Sequence, residues 1–352
     1  MSRLFEPLVL RGTTFRNRAW VSPMCQYSSV DGRVGDWHLA HLGAFARGGA
    51  GLVLTEAAAV VPEGRISPQD AGLWDDEQAG DWARVVDFVH AQGAAAGVQL
   101  AHAGRKASTR RPWEGTGVVP AAEGGWTAVG PSPIGFGDWS APQELTVDGI
   151  AAVVRAFADA AVRADRAGFD VVELHAAHGY LLHQFLSPLS NARTDAYGGD
   201  LPGRSRALRE VVTAVRAVWP DAKPLLVRVS ATDWADGGWD VEETVALART
   251  LHGLGVDLVD VSSGGNVAHQ RIDVGPGYQV PFARAVREGA GVPTGAVGLI
   301  TEPAQAEQVL RDGAADVVLL ARALLREPHW VLRAAAELRG PDLTPPQYAR
   351  AY

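Results

Sequence analysis

The sequence contains a single cysteine, Cys25, among 352 residues. One cysteine excludes an intrachain disulfide framework and any iron–sulfur cluster that is held by cysteines alone. Positive charge is also scarce, since 40 acidic residues outnumber 32 basic ones and give a formal net charge of −8. An acidic chain is a poor match for nucleic acid or for an anionic membrane, so we expect neither as a partner.

Long apolar runs are absent as well. No uncharged run is long enough to span a bilayer, and the first residues, Met-Ser-Arg-Leu-Phe-Glu-Pro, contain no apolar signal core. These absences predict a cytoplasmic protein. The composition, 47% hydrophobic and 20% charged, is that of an ordinary globular chain, which at this length folds without disulfides or metal ions.

Eight short apolar runs alternate with amphipathic stretches along the chain. Apolar runs that alternate with helices are typical of a parallel sheet, and eight such units favour an α/β fold of the (β/α)8 TIM barrel type. The alternative is a doubly wound open sheet, which is less favoured because no Gly-x-Gly-x-x-Gly follows the first run. The predicted strands are 19–22, 51–55, 95–100, 170–174, 225–229, 258–261, 294–296 and 317–320, and the clearest predicted helices are 76–91, 147–167, 204–218, 242–254 and 302–311.

The longest interruption of this alternation is 104–144, which is rich in glycine, proline and tryptophan and has no clear period. A loop of this length inside a compact domain is usually functional or disordered, and its aromatic residues disfavour disorder. We therefore expect a cap over the mouth of the barrel after the third strand. The expected organisation is a single domain, 1–352, with this excursion and a C-terminal tail at 340–352.

Three hydrogen-bonding side chains, His175, His178 and Tyr180, follow the fourth predicted strand. Barrel enzymes carry their catalytic groups at the carboxyl ends of the strands, so this cluster is a candidate site for holding and protonating a small polar substrate. A metal site is the alternative, but a catalytic zinc needs a further ligand, and the sequence has no His-Glu-x-x-His motif. Two imidazole donors aimed at one carbonyl or nitro oxygen fit better, and we expect no metal.

Arg228 lies inside an apolar strand, where a charge is costly unless a second charge or a ligand pairs with it. Two interpretations remain open: an ion pair with a strand carboxylate such as Glu173, or contact with an electron-rich cofactor ring. The last three strands predict an anion site, because barrels frequently bind phosphate there, glycines admit close backbone approach and an arginine adds a charged donor. The residues concerned are Gly264, Gly265, Gly298 and Arg322.

Several ordered motifs together resemble the old yellow enzyme family of NADH:flavin oxidoreductases and ene-reductases, and within it the thermophilic-like subgroup that includes bacterial xenobiotic reductases. The resemblance covers nearly the whole chain. Its motifs are Leu4-Phe5-Glu6-Pro7, Asn17-Arg18, Ser22-Pro23-Met24-Cys25, Gln99-Leu100-Ala101-His102-Ala103-Gly104-Arg105-Lys106, the block 170–199, Gly295-Ala296-Val297-Gly298 and Gln347-Tyr348-Ala349-Arg350.

The resemblance implies FMN bound noncovalently in the barrel. Gln99 is expected at the pyrimidine edge of the ring, and Arg228 beside N1 and the C2 carbonyl, where a cation raises the reduction potential. Cys25 is expected to touch the flavin and tune its redox behaviour, unless it is only a small buried filler. The implied cofactor-binding residues are Ser22, Pro23, Met24, Cys25, Ala57, Gln99, His175, Arg228, Gly264, Gly265, Gly298, Ala321 and Arg322.

The resemblance also implies a ping-pong reaction in which NADPH or NADH gives a hydride to flavin N5. The hydride then passes to the β-carbon of an activated alkene, such as an enone, enal, maleimide or nitroalkene. His175 and His178 are expected to bind the activating oxygen, and Tyr180 to donate the proton. Tyr27 and Lys106 are expected to contact the substrate.

A C-terminal arginine of this subgroup reaches into the neighbouring subunit's site, and Arg350 matches it. The chain is therefore expected to form a homodimer or homotetramer, unless its terminus is simply frayed. Two positions depart from the family pattern: Ala321 replaces a common glycine, and Tyr352 a frequent tryptophan. From another class of function, a flavin-binding redox sensor or storage protein without turnover remains an alternative, although the complete set of His175, His178 and Tyr180 favours an enzyme.

Overall fold

The computed structural model describes residues 2–351. Eight parallel strands pair in chain order, and the last pairs with the first, so that the sheet closes into a barrel. This confirms the (β/α)8 barrel, and the open doubly wound sheet is wrong. The strands are β1 Ala19–Val21, β2 Leu52–Ala59, β3 Ala95–Ala101, β4 Val171–Ala176, β5 Leu225–Ser230, β6 Leu258–Ser262, β7 Thr294–Ala296 and β8 Val317–Leu320.

Strand β2 is longer than predicted. The prediction ended it at Thr55 and placed Glu56 and Ala57 just beyond its end. Glu56 is nevertheless buried, since its carboxylate lies 3.1 Å from His38 Nε2 and accepts the N–H of Gln26 at 2.9 Å. A buried charge is tolerated when it is paired and hydrogen-bonded, so the strand continues through it to Ala59.

Helices surround the barrel, and every one of the five predicted helices is present. The chain enters the third of them a turn early, because the Asp200 side chain caps a short preceding turn by accepting the N–H of Gly203. The helices are α1 Asp36–Arg47, α2 Asp76–Ala91, α3 Val147–Arg166, α4 Leu181–Leu186, α5 Leu201–Arg204, α6 Arg206–Val218, α7 Val241–Gly253, α8 Val280–Ala290, α9 Pro303–Arg311, α10 Arg322–Arg326 and α11 Trp330–Glu337.

The interior of the barrel changes character along its axis. Its amino-terminal part is apolar, and an antiparallel hairpin, Leu8–Leu10 with Thr13–Phe15, covers that end. Its carboxyl-terminal part carries polar side chains. Residues two apart on a strand face the same side. The interior-facing positions of the same strands can therefore supply an apolar plug below and a polar layer above. The apolar cluster is formed by Leu10, Phe15, Trp20, Leu52, Leu54, Val171, Leu226, Leu258, Val297, Val317 and Leu319.

The excursion between β3 and α3 confirms a long capping loop after the third strand. It contains two short paired strands, Val129–Gly130 and Gln143–Glu144, and little other regular structure. Its Trp113 makes an edge-on ring contact with Tyr27 at 5.8 Å, in the loop after β1. The excursion therefore lies at the carboxyl end of the barrel.

The C-terminal tail lies against the same chain through Tyr348. The Tyr348 hydroxyl accepts a hydrogen bond from Arg47 Nη1 at 2.9 Å, and its ring contacts His329 with 5.6 Å between centroids. Arg350 is exposed, and Tyr352 falls outside the described residues. Within residues 2–351, no helix has the length and apolar character needed to cross a membrane.

Candidate active site

His175, His178 and Tyr180 converge at the carboxyl end of β4. The ring of His175 lies 5.1 Å from that of His178 and 5.0 Å from that of Tyr180, with both pairs close to perpendicular. His175 belongs to the strand itself, and Tyr180 immediately precedes α4. The connection between them contains His178 at φ 59° and Gly179 at φ 71°, a left-handed turn that brings the three rings together.

The two imidazoles are neutral. Burial, followed by the positive charge of Arg228, holds the pKa of both His175 and His178 well below 6.5. The Ala177 N–H donates to His175 Nδ1 at 3.3 Å, so the proton of His175 belongs on Nε2. His178 Nε2 is 2.7 Å from Ser262 Oγ, so its available nitrogen is Nδ1, which is a donor when Ser262 donates to Nε2 and an acceptor when Ser262 donates to Gln279 Oε1. His175 Nε2 is a neutral hydrogen-bond donor rather than an acid.

Tyr180 is also uncharged. Burial raises the pKa of its phenol well above 10, so that it carries its proton at neutral pH. It packs in an apolar cluster with Cys25, Tyr27, Trp126 and residues of the excursion. Burial raises the pKa of the Cys25 thiol in the same way, and Cys25 is therefore a neutral thiol in this structure.

Lys106 connects the loop after β4 to the loop after β6. Its ammonium donates to the backbone oxygens of His178 at 2.9 Å and Gly265 at 3.0 Å. It also lies 4.6 Å from the ring centre of Phe136 and 5.2 Å from that of Tyr180, and burial lowers its pKa to about 8. Lys106 thus borders the predicted site, but both of these hydrogen bonds go to backbone oxygens, and its contact with substrate stays a prediction.

The same two loops also meet through Ser230. The His178 N–H donates to Ser230 Oγ at 2.9 Å, and that hydroxyl donates to the Gly264 oxygen at 2.8 Å. Gly265, at φ 89°, lies so close that an added Cβ would be 2.6 Å from His178 Cα. Only glycine fits there, because both the backbone conformation and the close approach exclude a side chain.

Below the histidines, four polar side chains from adjacent strands form one layer. Gln99 Nε2 donates to Glu173 Oε1 at 2.8 Å, and Arg228 Nε lies 3.0 Å from Asp260 Oδ2. The ion-pair interpretation of Arg228 therefore holds with Asp260 as its partner, whereas the sequence had suggested Glu173. That contact is short but poorly aligned for a hydrogen bond, and within residues 2–351 Arg228 Nε and Asp260 Oδ2 have no hydrogen-bond partner.

Glu173 is only partly satisfied in this layer. Burial, followed by the negative charge of Asp260, raises its pKa to about 8, against the opposing effects of Arg228 and Gln99. Its Oε2 is buried and has no hydrogen-bond partner among the described residues. Unsatisfied buried polar atoms at the top of a barrel interior are typical of a ligand site.

A cavity opens beside this layer at the ends of β7 and β8. Five residues predicted to bind the cofactor line it together: Ser22, Arg228, Gly298, Ala321 and Arg322. Three guanidinium groups at one cavity, those of Arg228, Arg322 and Arg326, suit a phosphate and an electron-rich ring, so the residues present fit FMN. Sequence reasoning missed Arg326, although it lies one helical turn after Arg322, and the other missed polar lining residues are Ser262, Tyr278, Gln279 and Thr301.

The other predicted residues occupy three places. Pro23, Met24, Cys25 and Tyr27 form the half-buried loop after β1, and Ala57 pairs in register with Gln99 on the neighbouring strand. Arg350 is not brought to the site within one chain. No group of three or more histidine, cysteine or acidic side chains is arranged to hold a metal ion in the part of the chain that the structure describes.

Residues 3–340 match the family model described as the NADH:flavin oxidoreductase / NADH oxidase family. The chain belongs to this family. Its similarity to curated relatives is end to end: the NADPH dehydrogenase of Bacillus pumilus is 48% identical over 354 residues, which span 100% of this chain and 99% of the relative. The NADPH dehydrogenase of Geobacillus thermodenitrificans is 49% identical, over 99% of this chain and 98% of its own.

Solved structures agree with this assignment. Morphinone reductase, 28% identical, matches with a TM-score of 0.81 over 97% of this chain and 90% of its own. A 2-naphthoyl-CoA reductase complex, at 24% identity, has a TM-score of 0.85 over 96% of this chain but only 52% of its own, and shows the fold alone. The old yellow enzyme assignment is thereby confirmed. The protein is an NAD(P)H-dependent oxidoreductase whose cofactor is FMN.

Proposed function

We propose that this flavoenzyme reduces the carbon–carbon double bond of activated alkenes: enones, enals, maleimides and nitroalkenes. The observation that supports the proposal most is the set of three uncharged groups at the end of β4: the His175 ring is buried, and the half-buried rings of His178 and Tyr180 each lie about 5 Å from it. Bound FMN supplies the redox chemistry by accepting a hydride from NADPH or NADH and delivering it to the substrate's β-carbon.

In this proposal, His175 and His178 bind the oxygen that activates the alkene. Both imidazoles are neutral, and each has one nitrogen that is not committed to the backbone or to Ser262. N–H donors aimed at an oxygen stabilise the negative charge that develops on it during hydride addition, and fixed donors in a water-poor site do so more strongly than solvent.

Tyr180 is the proposed proton donor to the α-carbon. Its raised pKa keeps the phenol protonated at working pH, and its ring contacts the ring of His175. With the donor beside the oxygen-binding histidines, the hydride and the proton can be added to neighbouring carbons of the same substrate. Tyr27 and Lys106 are proposed to border the same substrate, with the excursion closing the pocket above it.

The polar layer and the neighbouring cavity are proposed to hold FMN. Gln99 and Arg228 face the pyrimidine side of the ring, and a cation there favours the negatively charged reduced form. The loop after β1 and Ala57 line the ring, and the glycines and Arg322 surround the phosphate. The whole chain is proposed to act as one FMN-binding domain, in an oligomer to which Arg350 contributes across the subunit interface.

The origin of the two added hydrogens tests this proposal. Turnover of 2-methyl-2-cyclohexenone with NADPH deuterated at the transferable position should place deuterium on the β-carbon, and turnover in D2O should place it on the α-carbon. Mass and NMR analysis of the product distinguishes the two positions. If the protein holds FMN and oxidises NADPH, yet forms no saturated ketone, saturated aldehyde, succinimide or nitroalkane, the result would instead favour the flavin-binding sensor.

A further inference from the structure

A series of interacting polar side chains lies directly behind the turn that carries His178 and Tyr180. It consists of Ser187, Asp233 and His183, each with no exposed surface. None of the three faces the pocket, and the proposed reaction does not use them. Three buried polar side chains without a ligand need a reason, because each costs free energy unless its hydrogen bonds are complete.

This series of side chains ends at one backbone group of that turn, the N–H of Gly179. The Gly179 N–H donates to His183 Nδ1 at 2.9 Å. A backbone N–H only donates, so Nδ1 is unprotonated and the His183 proton belongs on Nε2. That nitrogen is 3.0 Å from Asp233 Oδ1, a short but poorly aligned contact, and it has no hydrogen-bond partner among residues 2–351. Asp233 therefore selects the tautomer that accepts from Gly179.

Asp233 is itself fixed as a carboxylate. Its Oδ2 accepts three donors: the Ser187 hydroxyl at 2.5 Å, the Trp239 N–H at 3.0 Å and Asn266 Nδ2 at 3.3 Å. Burial raises the pKa of Asp233, but the interactions with His183, Ser187 and Trp239 outweigh it and hold the pKa at about 2. The carboxylate is thus ionised, and its orientation is determined by groups outside the turn.

The two catalytic residues flanking Gly179 depend on it unequally. His178 has independent anchors, since its N–H, its carbonyl oxygen and its ring each have a partner outside the turn. Tyr180 has only local backbone bonds, to Ala177 and from Gln184. Gln184 Nε2 also donates to the Gly179 oxygen at 2.7 Å. The Leu181 N–H donates to the His102 oxygen at 2.9 Å on the far side of Tyr180, so the hydrogen bond from Gly179 to His183 is the constraint on the near side.

We infer that Asp233 and His183 form a positioning pair that fixes the Gly179 peptide and thereby holds the Tyr180 phenol in place for proton donation. This inference rests on the proposed role of Tyr180. Neither residue touches substrate or cofactor; both act through the turn. The pair matters for the proton-transfer step and much less for the step in which NADPH reduces the flavin.

Asp233→Asn is the decisive variant, because an amide of the same shape cannot satisfy the site. With its nitrogen toward His183, the imidazole must switch tautomer and oppose the Gly179 N–H with an N–H of its own. With its nitrogen toward Trp239, two donors face each other there. Two variants of His183 are compared. In His183→Asn the amide oxygen lies near the position of Nδ1 and can accept from Gly179, whereas His183→Leu has no acceptor.

The rates of flavin reduction by NADPH and of reoxidation by 2-cyclohexenone are measured separately by anaerobic stopped flow. For Asp233→Asn and His183→Leu we expect FMN content and flavin reduction within about threefold of wild type, and reoxidation slower by about 10- to 100-fold, the cost of a misplaced reacting group. His183→Asn should recover most of the lost rate. The solvent deuterium isotope effect on reoxidation should rise in the two impaired variants.

A double-mutant cycle separates positioning from general damage. In a Tyr180→Phe background, Asp233→Asn should have almost no further effect on reoxidation, since the residue that it positions is gone. Nitrogen-15 NMR of labelled imidazoles should show His183 protonated on Nε2 in the wild type, and protonation on Nδ1 there would overturn the inference. Multiplicative effects in the cycle, or equal losses in both half-reactions, would overturn the inference. If the wild type is not reoxidised by the enone, the proposed function fails instead.

Discussion

At the scale of single residues, the chemistry depends on groups that burial keeps uncharged. His175, His178 and Tyr180 each have an ordinary pKa within a few units of neutrality, and burial moves each pKa away from neutral pH in the direction that removes charge. The imidazoles become neutral and the phenol keeps its proton. One environment thus prepares both the proposed oxygen-binding function and the proposed proton-donating function.

Removing the Tyr180 hydroxyl should separate the two half-reactions. Tyr180→Phe keeps the ring and its contact with His175, so the pocket shape is preserved. We expect alkene-dependent reoxidation to slow by about 10²- to 10⁴-fold, the usual value of a positioned proton transfer, while NADPH-dependent flavin reduction changes little. Stopped-flow absorbance measures both rates. Equal reoxidation rates in variant and wild type would assign the proton donor elsewhere.

The pH dependence follows from the lowered pKa of His175 and His178. Both imidazoles are already deprotonated at pH 6, so alkene-dependent reoxidation should stay within about twofold between pH 5.5 and 7.5. Their effect on stability is different: unfolded histidines bind protons below about pH 6.5 and these folded ones do not, so the contribution of His175 and His178 to the free energy of unfolding should fall as pH drops through that range. A reoxidation rate that titrates near pH 6.5 would contradict the assignment.

At the scale of structural elements, the site is made where the loops after β4 and β6 touch. Ser230, Lys106 and the missing side chain of Gly265 hold these loops together, and none of them is part of the three-ring cluster. The catalytic turn therefore depends on residues more than fifty positions away in sequence. Strand order in the barrel brings them together, since β4, β5 and β6 are consecutive neighbours.

Gly265→Ala should damage this junction specifically. Its Cβ would lie 2.6 Å from His178 Cα and the residue has φ 89°, so we expect a loss of about 1–3 kcal/mol in the free energy of unfolding and weaker binding of enones. Gly291→Ala is the matched control: it also has positive φ, at 69°, but an added Cβ would meet nothing within 4 Å. Thermal unfolding and substrate titration should both show a larger loss for Gly265→Ala than for Gly291→Ala. Equal effects would show that backbone strain alone is responsible.

At the scale of the whole molecule, the sequence was sufficient for the architecture, and five of the residues that it predicts to bind the cofactor line one cavity. The strands are apolar on both faces and the helices amphipathic, so the barrel can be recognised from periodicity, and the ends of its strands then locate the site. Contacts between loops cannot be found this way. The partner of Arg228 proved to be Asp260, and the pairing of His183 with Asp233 joins residues 50 positions apart, because register and loop path decide which side chains meet.

The oligomer prediction belongs to this scale. Arg350 is exposed and lies beyond Tyr348, whose hydroxyl fixes the tail to Arg47. If the tail completes a neighbouring site, sedimentation should show a dimer or tetramer, and Arg350→Ala should raise the KM for the alkene severalfold with little change in flavin content. Lys223→Ala is a control of comparable charge change, since that side chain pairs with Asp165 on the barrel exterior. A monomer with full alkene reductase activity would exclude this role for Arg350.

The most direct test of the whole account is an anaerobic spectral titration of the purified protein. The protein should show a flavin absorption band that bleaches on addition of NADPH and returns on addition of one equivalent of 2-cyclohexenone, with cyclohexanone as product. Bleaching by NADPH without recovery by any enone, maleimide or nitroalkene would leave the flavin oxidoreductase in place and contradict the proposed alkene chemistry. A protein that cannot be reconstituted with FMN would contradict the assignment of the cavity itself.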